Sequence, residues 1–364
     1  MAGYVTIEAQ ALTQAIAAIV AAGGSEGEEP LQVAESLVGA NLAGHDSHGV
    51  GMIPRYVDAL LEGGLLPNRQ PSIKLDAGAL LALDGERGYG QSIGKAAMAM
   101  GIRRAQQHGV CVMTLARSHH LGRIGQWAEQ ATAEGLVSLH FVNVMTRPSV
   151  APWGGSDGRF GTNPCCIGVP LAGEPPMILD FATSAVAQGK MRVAHNKGEK
   201  VPAGRLIDDQ GRPTDDPRYV VVEPWGALLP FGEHKGSGLA VACELLGGAL
   251  SGGGTWHGSH DGSRRVYNGM LTMLIDPART GAGAESFFGE AGAFIDSLRQ
   301  SPPAPGFDRV RIAGEPEREM RVQRLTGGIP IDETTWEEIL RAGEKLAVPR
   351  ERTIETAGCG VAGR

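Results

Sequence analysis

Gly44-His45-Asp46-Ser47-His48-Gly49-Val50-Gly51-Met52-Ile53-Pro54-Arg55-Tyr56 is the stretch on which the reading of this chain turns. It stands at a glycine-flanked break between two segments with helical spacing of apolar residues. Ser47 has the character of an N-cap for a helix from about 48 to 62 that would carry Arg55, Tyr56 and Leu60. The imidazole of His48 can exchange a proton near neutral pH, with a guanidinium and a phenol one to two turns on to hold an anion. Taken alone, a serine cap followed by a packed histidine is the commoner source of this pattern, and it is the company of further motifs that lifts the catalytic reading.

Upstream of this stretch, residues 8–22 and 29–43 carry helical apolar spacing (Leu12, Ile16, Ile19, Val20; then Leu31, Val33, Leu37, Val38, Leu42). Downstream, short strands are expected at 73–75 and 80–83, then a helix at 91–108 ending at Gly109, a buried strand at 111–116, a helix at 122–134 and a strand at 137–144. Residues 148–180 are turn-rich, and 189–217, with Pro202, Gly204, Gly211, Pro213 and Pro217, read as an irregular excursion. A helix at 236–250 follows, then a Gly/Ser/His loop at 251–266, a strand at 271–275, a helix at 281–298, a short strand at 309–312 and a closing helix at 335–346.

The length of 364 residues favours two domains or one large composite one. The 54 glycines are scattered over turn positions without a period, which excludes collagen-like and low-complexity readings. A formal net charge of −7 argues against nucleic-acid or anionic-membrane partners. Only Arg55 and Arg69 supply positive charge before Lys74, and the apolar run 11–22 is too short to span a bilayer, so cytoplasmic residence is the expectation. The five cysteines lack CxxC spacing; vicinal Cys165 and Cys166 read as small buried residues with no redox or metal role.

Four further segments accompany the first: Ser118-His119-His120-Leu121-Gly122-Arg123, Gly161-Thr162-Asn163-Pro164, Leu179-Asp180-Phe181-Ala182-Thr183-Ser184, and Phe231-Gly232-Glu233-His234-Lys235-Gly236. In order and spacing, the five resemble the type-2 malate/L-lactate dehydrogenase family over roughly residues 5–345. His119-His120 and Gly125-Gln126-Trp127-Ala128-Glu129-Gln130 are most similar to its hydroxycarboxylate dehydrogenase B branch. The resemblance implies an α/β, non-Rossmann cofactor domain with helical N- and C-terminal segments packed together. It also implies NAD or NADP (NAD slightly favoured), a small 2-oxo or 2-hydroxy acid as partner, and a homodimer. Residues 1–72 with 316–350 would form one domain, 73–315 the cofactor-binding domain, and 351–364 a disordered tail. Malate, lactate or ureidoglycolate dehydrogenation and cyclic-imine (piperideine- or pyrroline-2-carboxylate) reduction are alternatives within the family.

The resemblance places proton transfer on Ser47, His48 and Asp180, the carboxylate fixing the tautomer of the imidazole. His120 competes with His48 for that role. Asp180 could instead cap a turn, and His119 could simply pack. The resemblance assigns cofactor contacts to His48, Gly122, Arg123, Ile124, Ile178, Leu179, Asp180, Phe181, Ala182, His234, Lys235, Asn268, Ala313, Gly314 and Glu315. Lys235 would reach a pyrophosphate; the alternative is a surface lysine in a turn before a helix. Many relatives carry arginine where this chain has Met52. The substrate carboxylate would then fall to Arg55, Tyr56, Arg123 or Arg147, and Met52 would favour bulky or aromatic monocarboxylic 2-oxo acids.

Two other motifs point elsewhere. Gly88-Tyr89-Gly90-Gln91-Ser92-Ile93-Gly94 sits where a dinucleotide fingerprint belongs, but its spacing is GxGxxxG and the next strand ends in Arg117 rather than an acid. The pairs His45/His48 and His257/His260 have metal-like spacing, but zinc takes three or four converging ligands and only Asp261 lies near the second pair. A metal-dependent enzyme and a non-catalytic NAD-binding protein are the readings of a different class.

Overall fold

The computed structural model describes residues 3–257 and 263–359. The chain opens with β1 (Tyr4–Ile7), α1 (Ala9–Ala22), α2 (Glu29–Leu42) and α3 (Ile53–Leu61), continues through β2 (Ser72–Ala77), β3 (Leu80–Asp84), α4 (Gly90–His108), β4 (Val110–His119), α5 (Gly125–Ala133) and β5 (Val137–Met145), and reaches β6 (Cys165–Leu171) and β7 (Glu174–Phe181). Then come α6 (Gln188–Lys197), the two-residue strands β8 (Leu206–Ile207), β9 (Pro213–Thr214) and β10 (Ala227–Leu228), α7 (His234–Cys243), β11 (Tyr267–Ile275) and α8 (Gly283–Arg299). It closes with α9 (Glu315–Gly327), β12 (Ile329–Asp332), α10 (Glu333–Lys345) and α11 (Arg350–Thr356).

One seven-stranded sheet, in the order β2-β3-β4-β11-β5-β6-β7, forms the centre. Only β3 and β4 run parallel, joined by α4 in a βαβ unit. Met113, Leu115 and Val142 of the sheet make a core with Ile93 and Met98 of α4 and Trp127 of α5, the apolar stripes of the helices closing on one face of the strands. A separate core joins the chain ends: Leu12, Ile16, Ile19, Leu37, Ile53 and Tyr56 pack with Ile339 and Leu340, and β1 pairs antiparallel with β12. Helices bearing apolar stripes from opposite ends of the chain can bury them only against each other.

Several expectations need correction. The helix expected over 48–62 is two short 3-10 turns, Asp46–His48 and Val50–Met52, before α3, and Ser47 lies inside the first turn; α3 is capped by Met52 without a side-chain bond. The excursion 189–217 is not irregular throughout, because α6 and the β8–β10 strands build a third core from Val150, Phe160, Met191, Leu206, Val220 and Leu228. Residues 309–312 form no strand. The stretch 351–364, expected to be disordered, instead begins inside α11 (Arg350–Thr356), where Thr353 is buried, and Ala357 joins the terminal core. The expected helix 236–250 changes after α7 into wider π-helical turns over Glu244–Ala249. A Cβ on Gly247 would come within 2.6 Å of the Asn143 backbone nitrogen, so glycine lets these turns lie on the sheet.

Candidate active site

The terminal helices, the sheet and α6 meet around a cavity of about 730 Å³. Its wall includes Ser47 and His48 from the first motif, His120, Gly122 and Ile124 from the second, and Asp180, Phe181 and Ala182 from the end of β7. Asn268 joins them from β11.

His120 follows directly on β4 and is buried, while His48 is half-buried on its 3-10 turn. The rings lie nearly parallel with centroids 5.3 Å apart, and His48 Nδ1 is 3.2 Å from His120 Nε2. His120 Nδ1 bonds the Tyr56 hydroxyl at 2.7 Å, and that hydroxyl accepts from Gln91 Nε2 at 2.8 Å. Both nitrogens of His120 are therefore engaged within the protein. His48 Nε2 has no protein partner among the described residues and is the nitrogen left for the cavity. Burial first, then the charges of His45 and Arg123, push the His48 imidazole down to about 4. His120 is held well below the ordinary range by burial and by its histidine neighbours and Arg55.

Asp180 is not bonded to His48. Its Oδ2 accepts from the Gly125 N–H at 2.7 Å, capping the start of α5. Burial pushes its carboxyl up, against the pull of His45, the Gly125 N–H and Arg123. His45 in turn reaches Glu317 at 3.3 Å. The carboxylate expected to orient His48 thus belongs to a neighbouring group of His45, Asp180 and Glu317. Asn268 also acts on the site from behind: Oδ1 accepts from the Leu121 N–H at 2.8 Å and Nδ2 donates to the Asn143 carbonyl at 2.9 Å. It thereby fixes the loop that carries His120 to the central sheet.

The anion-binding candidates separate. Tyr56 is buried on His120 and does not line the cavity. Met52 packs against the terminal core instead of facing the cavity. Arg123 pairs with Glu129 at 2.5 Å and lines a second, smaller hollow between α2, α4 and α5. Arg147 lies over the Trp225 ring at 3.6 Å. Arg55 donates to the Arg264 carbonyl and the Thr146 hydroxyl. Burial and the charges of Arg264, Arg147 and Arg192 lower its guanidinium to about 10. Like charges gathered this way are relieved by a bound anion. Arg192 is the member of this group on the cavity wall, beside Lys190, and its guanidinium lies over Gly51. Neither residue was expected, because the turn signals around 202–217 obscured α6.

The remaining cofactor candidates form a second set. Ile178 N–H donates to the Ala313 carbonyl at 3.1 Å, which brings the Ala313–Glu315 turn onto the end of β7. Glu315 is tied to Arg299, and Leu179 is exposed. His234 and Lys235 are exposed at the start of α7 and do not line the cavity, the His234 ring lying against Trp153. His45 and His48 turn to different partners, so the first HxxH pair does not chelate. His260 and Asp261 lie outside the described residues. Among the described residues no three His, Cys, Asp or Glu side chains converge on a metal position.

His119 fills a packing role, edge-on to Tyr56 and Tyr267, and His140 is buried on Thr272. Burial lowers both to about 3. An unfolded imidazole titrates near 6.5. As pH falls below that value, the unfolded chain takes up protons that His119, His120 and His140 refuse, so the folded state loses stability. Each contributes a loss of up to about 1.4 kcal/mol per pH unit, and half-buried His48 less. Melting temperature should hold between pH 7 and 8 and fall steeply from pH 6.5 towards 4.5; a flat profile there would show that these rings charge without penalty.

Comparison with known proteins now fits this geometry. The family model described as malate/L-lactate dehydrogenase matches residues 7–340, and the chain belongs to that family of oxidoreductases. It is 46% identical to hydroxycarboxylate dehydrogenase B of Escherichia coli O157:H7, covering 94% of this chain and 95% of the relative. The L-lactate dehydrogenase of Cupriavidus necator is 43% identical over 87% of this chain and 90% of its own. Sulfolactate dehydrogenase from Methanocaldococcus jannaschii superimposes with a TM-score of 0.84 at 31% identity, covering 95% of this chain and 99% of that one. The fold is therefore the one expected from the five motifs. No helix among the described residues is long and apolar enough to cross a membrane.

Proposed function

We propose that this protein catalyses reversible hydride transfer between a nicotinamide cofactor and the carbonyl carbon of a 2-oxo acid. The observation that carries the reading is the His48–His120 pair, with one free imidazole nitrogen at a cavity that Arg192 also lines. Reduction of a ketone leaves an alkoxide that must gain a proton; His48 is placed to give it one from Nε2, and a proton taken up from solvent through the cavity replaces the one given. Arg192 and Lys190 hold the substrate carboxylate by charge-assisted contacts.

The wall fits a nicotinamide. Ile124, Val142, Val144 and Phe181 give a flat ring an apolar bed, and Thr162, Ser184 and Asn268 offer polar groups beside it. The cofactor, when bound, supplies the hydride. NAD is the better match of the two forms: Asp46, Asp180, Glu317 and Asp332 outnumber Lys190 and Arg192 on the wall, which leaves a further phosphate dianion without a partner. A homodimer is the proposed assembly, since α7 and the π-helical turns that continue it expose Val241 and Leu245 about one turn apart.

Met52 no longer supports a preference for large substrates. The same apolar wall takes its place as the reason bulky or aromatic monocarboxylic acids should compete well with oxaloacetate. A panel of pyruvate, oxaloacetate, phenylpyruvate and piperideine-2-carboxylate, followed by NADH and NADPH oxidation, tests the reading. No turnover with any 2-oxo acid would sink it, and turnover of the cyclic imine alone would move the chain to the reductases. Arg192→Ala should raise KM for the oxo acid about tenfold to a hundredfold, the equivalent of roughly 1.5–3 kcal/mol. Cofactor KM should move much less; a cofactor KM that rises instead would assign Arg192 to the cofactor.

A further inference from the structure

The cavity wall ends at His48, but the hydrogen bonds behind it do not. They run inward through His120 and Tyr56 to Gln91 on α4, residues at most 7% exposed. We propose that Tyr56 and Gln91 are positioning residues that fix the tautomer of His120 and, through it, hold the proton of neutral His48 on Nε2, facing the cavity. The functional consequence rests on the dehydrogenase reading above; the tautomer itself does not.

The hydrogen-bond chain is set from its inner end. Gln91 Nε2 donates to the Tyr56 oxygen at 2.8 Å. A phenol has a single proton, and with its oxygen accepting from Gln91 that proton points at its other neighbour, His120 Nδ1, 2.7 Å away. His120 Nδ1 must then accept, so neutral His120 carries its proton on Nε2. That N–H faces His48 Nδ1 at 3.2 Å, which must accept in turn. Neutral His48 is left with its proton on Nε2, the nitrogen that has no protein partner among the described residues. Each link permits only one answer once the link before it is set.

Polarity could be reversed only by turning the Gln91 amide. As placed, its carbonyl oxygen is buried and unpartnered. Turning the amide would satisfy that oxygen but leave both amide N–H groups without an acceptor among the described residues, where one N–H and the oxygen lack partners as placed, and a buried N–H is left orphaned more rarely than a C=O. Tyr56 cannot swing away either, because its ring is held edge-on by Tyr89 and His119. Both imidazoles are also kept neutral at pH 7 by burial, the condition under which a tautomer is defined.

The expected chemical effect is orientation. A neutral imidazole offering Nε2–H donates to the carbonyl oxygen of an oxo acid and binds it ready for reduction. The opposite tautomer presents a lone pair, which repels that oxygen. Tyr56 and Gln91 touch neither substrate nor cofactor in this scheme, so their loss should act on kcat and on the oxo acid while sparing the cofactor.

The test is ring-15N histidine NMR on the full-length protein without substrate, with the His48 signals assigned by their absence in His48→Gln. The expected result is His48 protonated on Nε2 and bare on Nδ1, and His120 likewise. In Tyr56→Phe and in Gln91→Met the pair should become a mixture of tautomers. In both variants kcat should fall about tenfold to a hundredfold, with cofactor KM unchanged. Wild-type His48 protonated on Nδ1 would overturn the proposal whatever the variants do. So would variants that fold, lose activity and keep the wild-type tautomer. The wild-type spectrum stands alone if a variant fails to fold. Because it needs no turnover, a protein with the expected tautomers but no hydride transfer would count against the dehydrogenase reading alone.

Discussion

His48→Ala is expected to lower kcat by about 10²–10⁴-fold, the range for losing a general acid, while cofactor binding is largely kept. The sequence alone left His48 and His120 in competition, and the geometry favours His48. An acid that serves a substrate must have a nitrogen to spare for it. His120 has none, since Nε2 meets His48 and Nδ1 meets Tyr56. Among the described residues His48 uses only Nδ1, and it stands half-buried at the cavity. His120→Ala should therefore slow turnover less than His48→Ala, by removing the partner that orients the acid. Steady-state kinetics with a 2-oxo acid, alongside cofactor titration by nicotinamide fluorescence, separate the two effects. If His48→Ala turns over normally and His120→Ala is dead, the acid is His120 and His48 merely orients it.

Why both imidazoles could be named from the sequence while their pairing could not is a matter of range. His48 announced itself through local signals: glycine flanks, a serine beside it and an arginine two turns on. His120 lies 72 positions away, and only the fold brings the two rings to a hydrogen bond. Asp180 was legible as a carboxylate of the site but not in its bonding, because its partner is a backbone N–H at Gly125 that no side-chain pattern marks. Met52 misled for a related reason. Its place in the pocket was inferred from the resemblance, in which many relatives carry arginine there, whereas two 3-10 turns rotate it toward the terminal core.

The elements show the same division. Helices α1 and α2 carry strong apolar stripes and were readable to within a residue or two. Helix α9 has no buried residue, so its sequence holds no apolar period to detect. Strands β1 and β12 are four residues each and acquire meaning only by pairing with one another. Helix α6, which brings Lys190 and Arg192 to the cavity, was hidden by the Pro- and Gly-rich residues after it. The site is thus legible where chemistry is local and illegible where the second partner comes from a distant element.

Gly90→Ala is expected to lower the melting temperature by several degrees and kcat at least tenfold. Gly90 opens α4 within the GxGxxxG stretch that sits where a dinucleotide fingerprint belongs. Its neighbour explains the glycine differently. A Cβ at position 90 would overlap the carbonyl of His120 and come within 2.6 Å of the His119 oxygen, all backbone and none of it a flexible side-chain end. Helix α4 can approach the end of β4 this closely only because residue 90 has no side chain. An added methyl must push apart the helix carrying Gln91 and the segment carrying His120. Overpacking of this kind costs about 1–3 kcal/mol, which for a chain of this size is a shift of several degrees at most. The activity loss should exceed what that destabilisation alone implies, because the same displacement stretches the bonds from Gln91 through Tyr56 to His120. Assays well below the melting temperature make the distinction: a loss of stability with normal kcat would show that the seat of α4 matters to the fold but not to the histidine pair. A neutral Gly90→Ala would mean that α4 does not approach β4 this closely, and the packing that aligns Gln91 with Tyr56 would have to be redrawn.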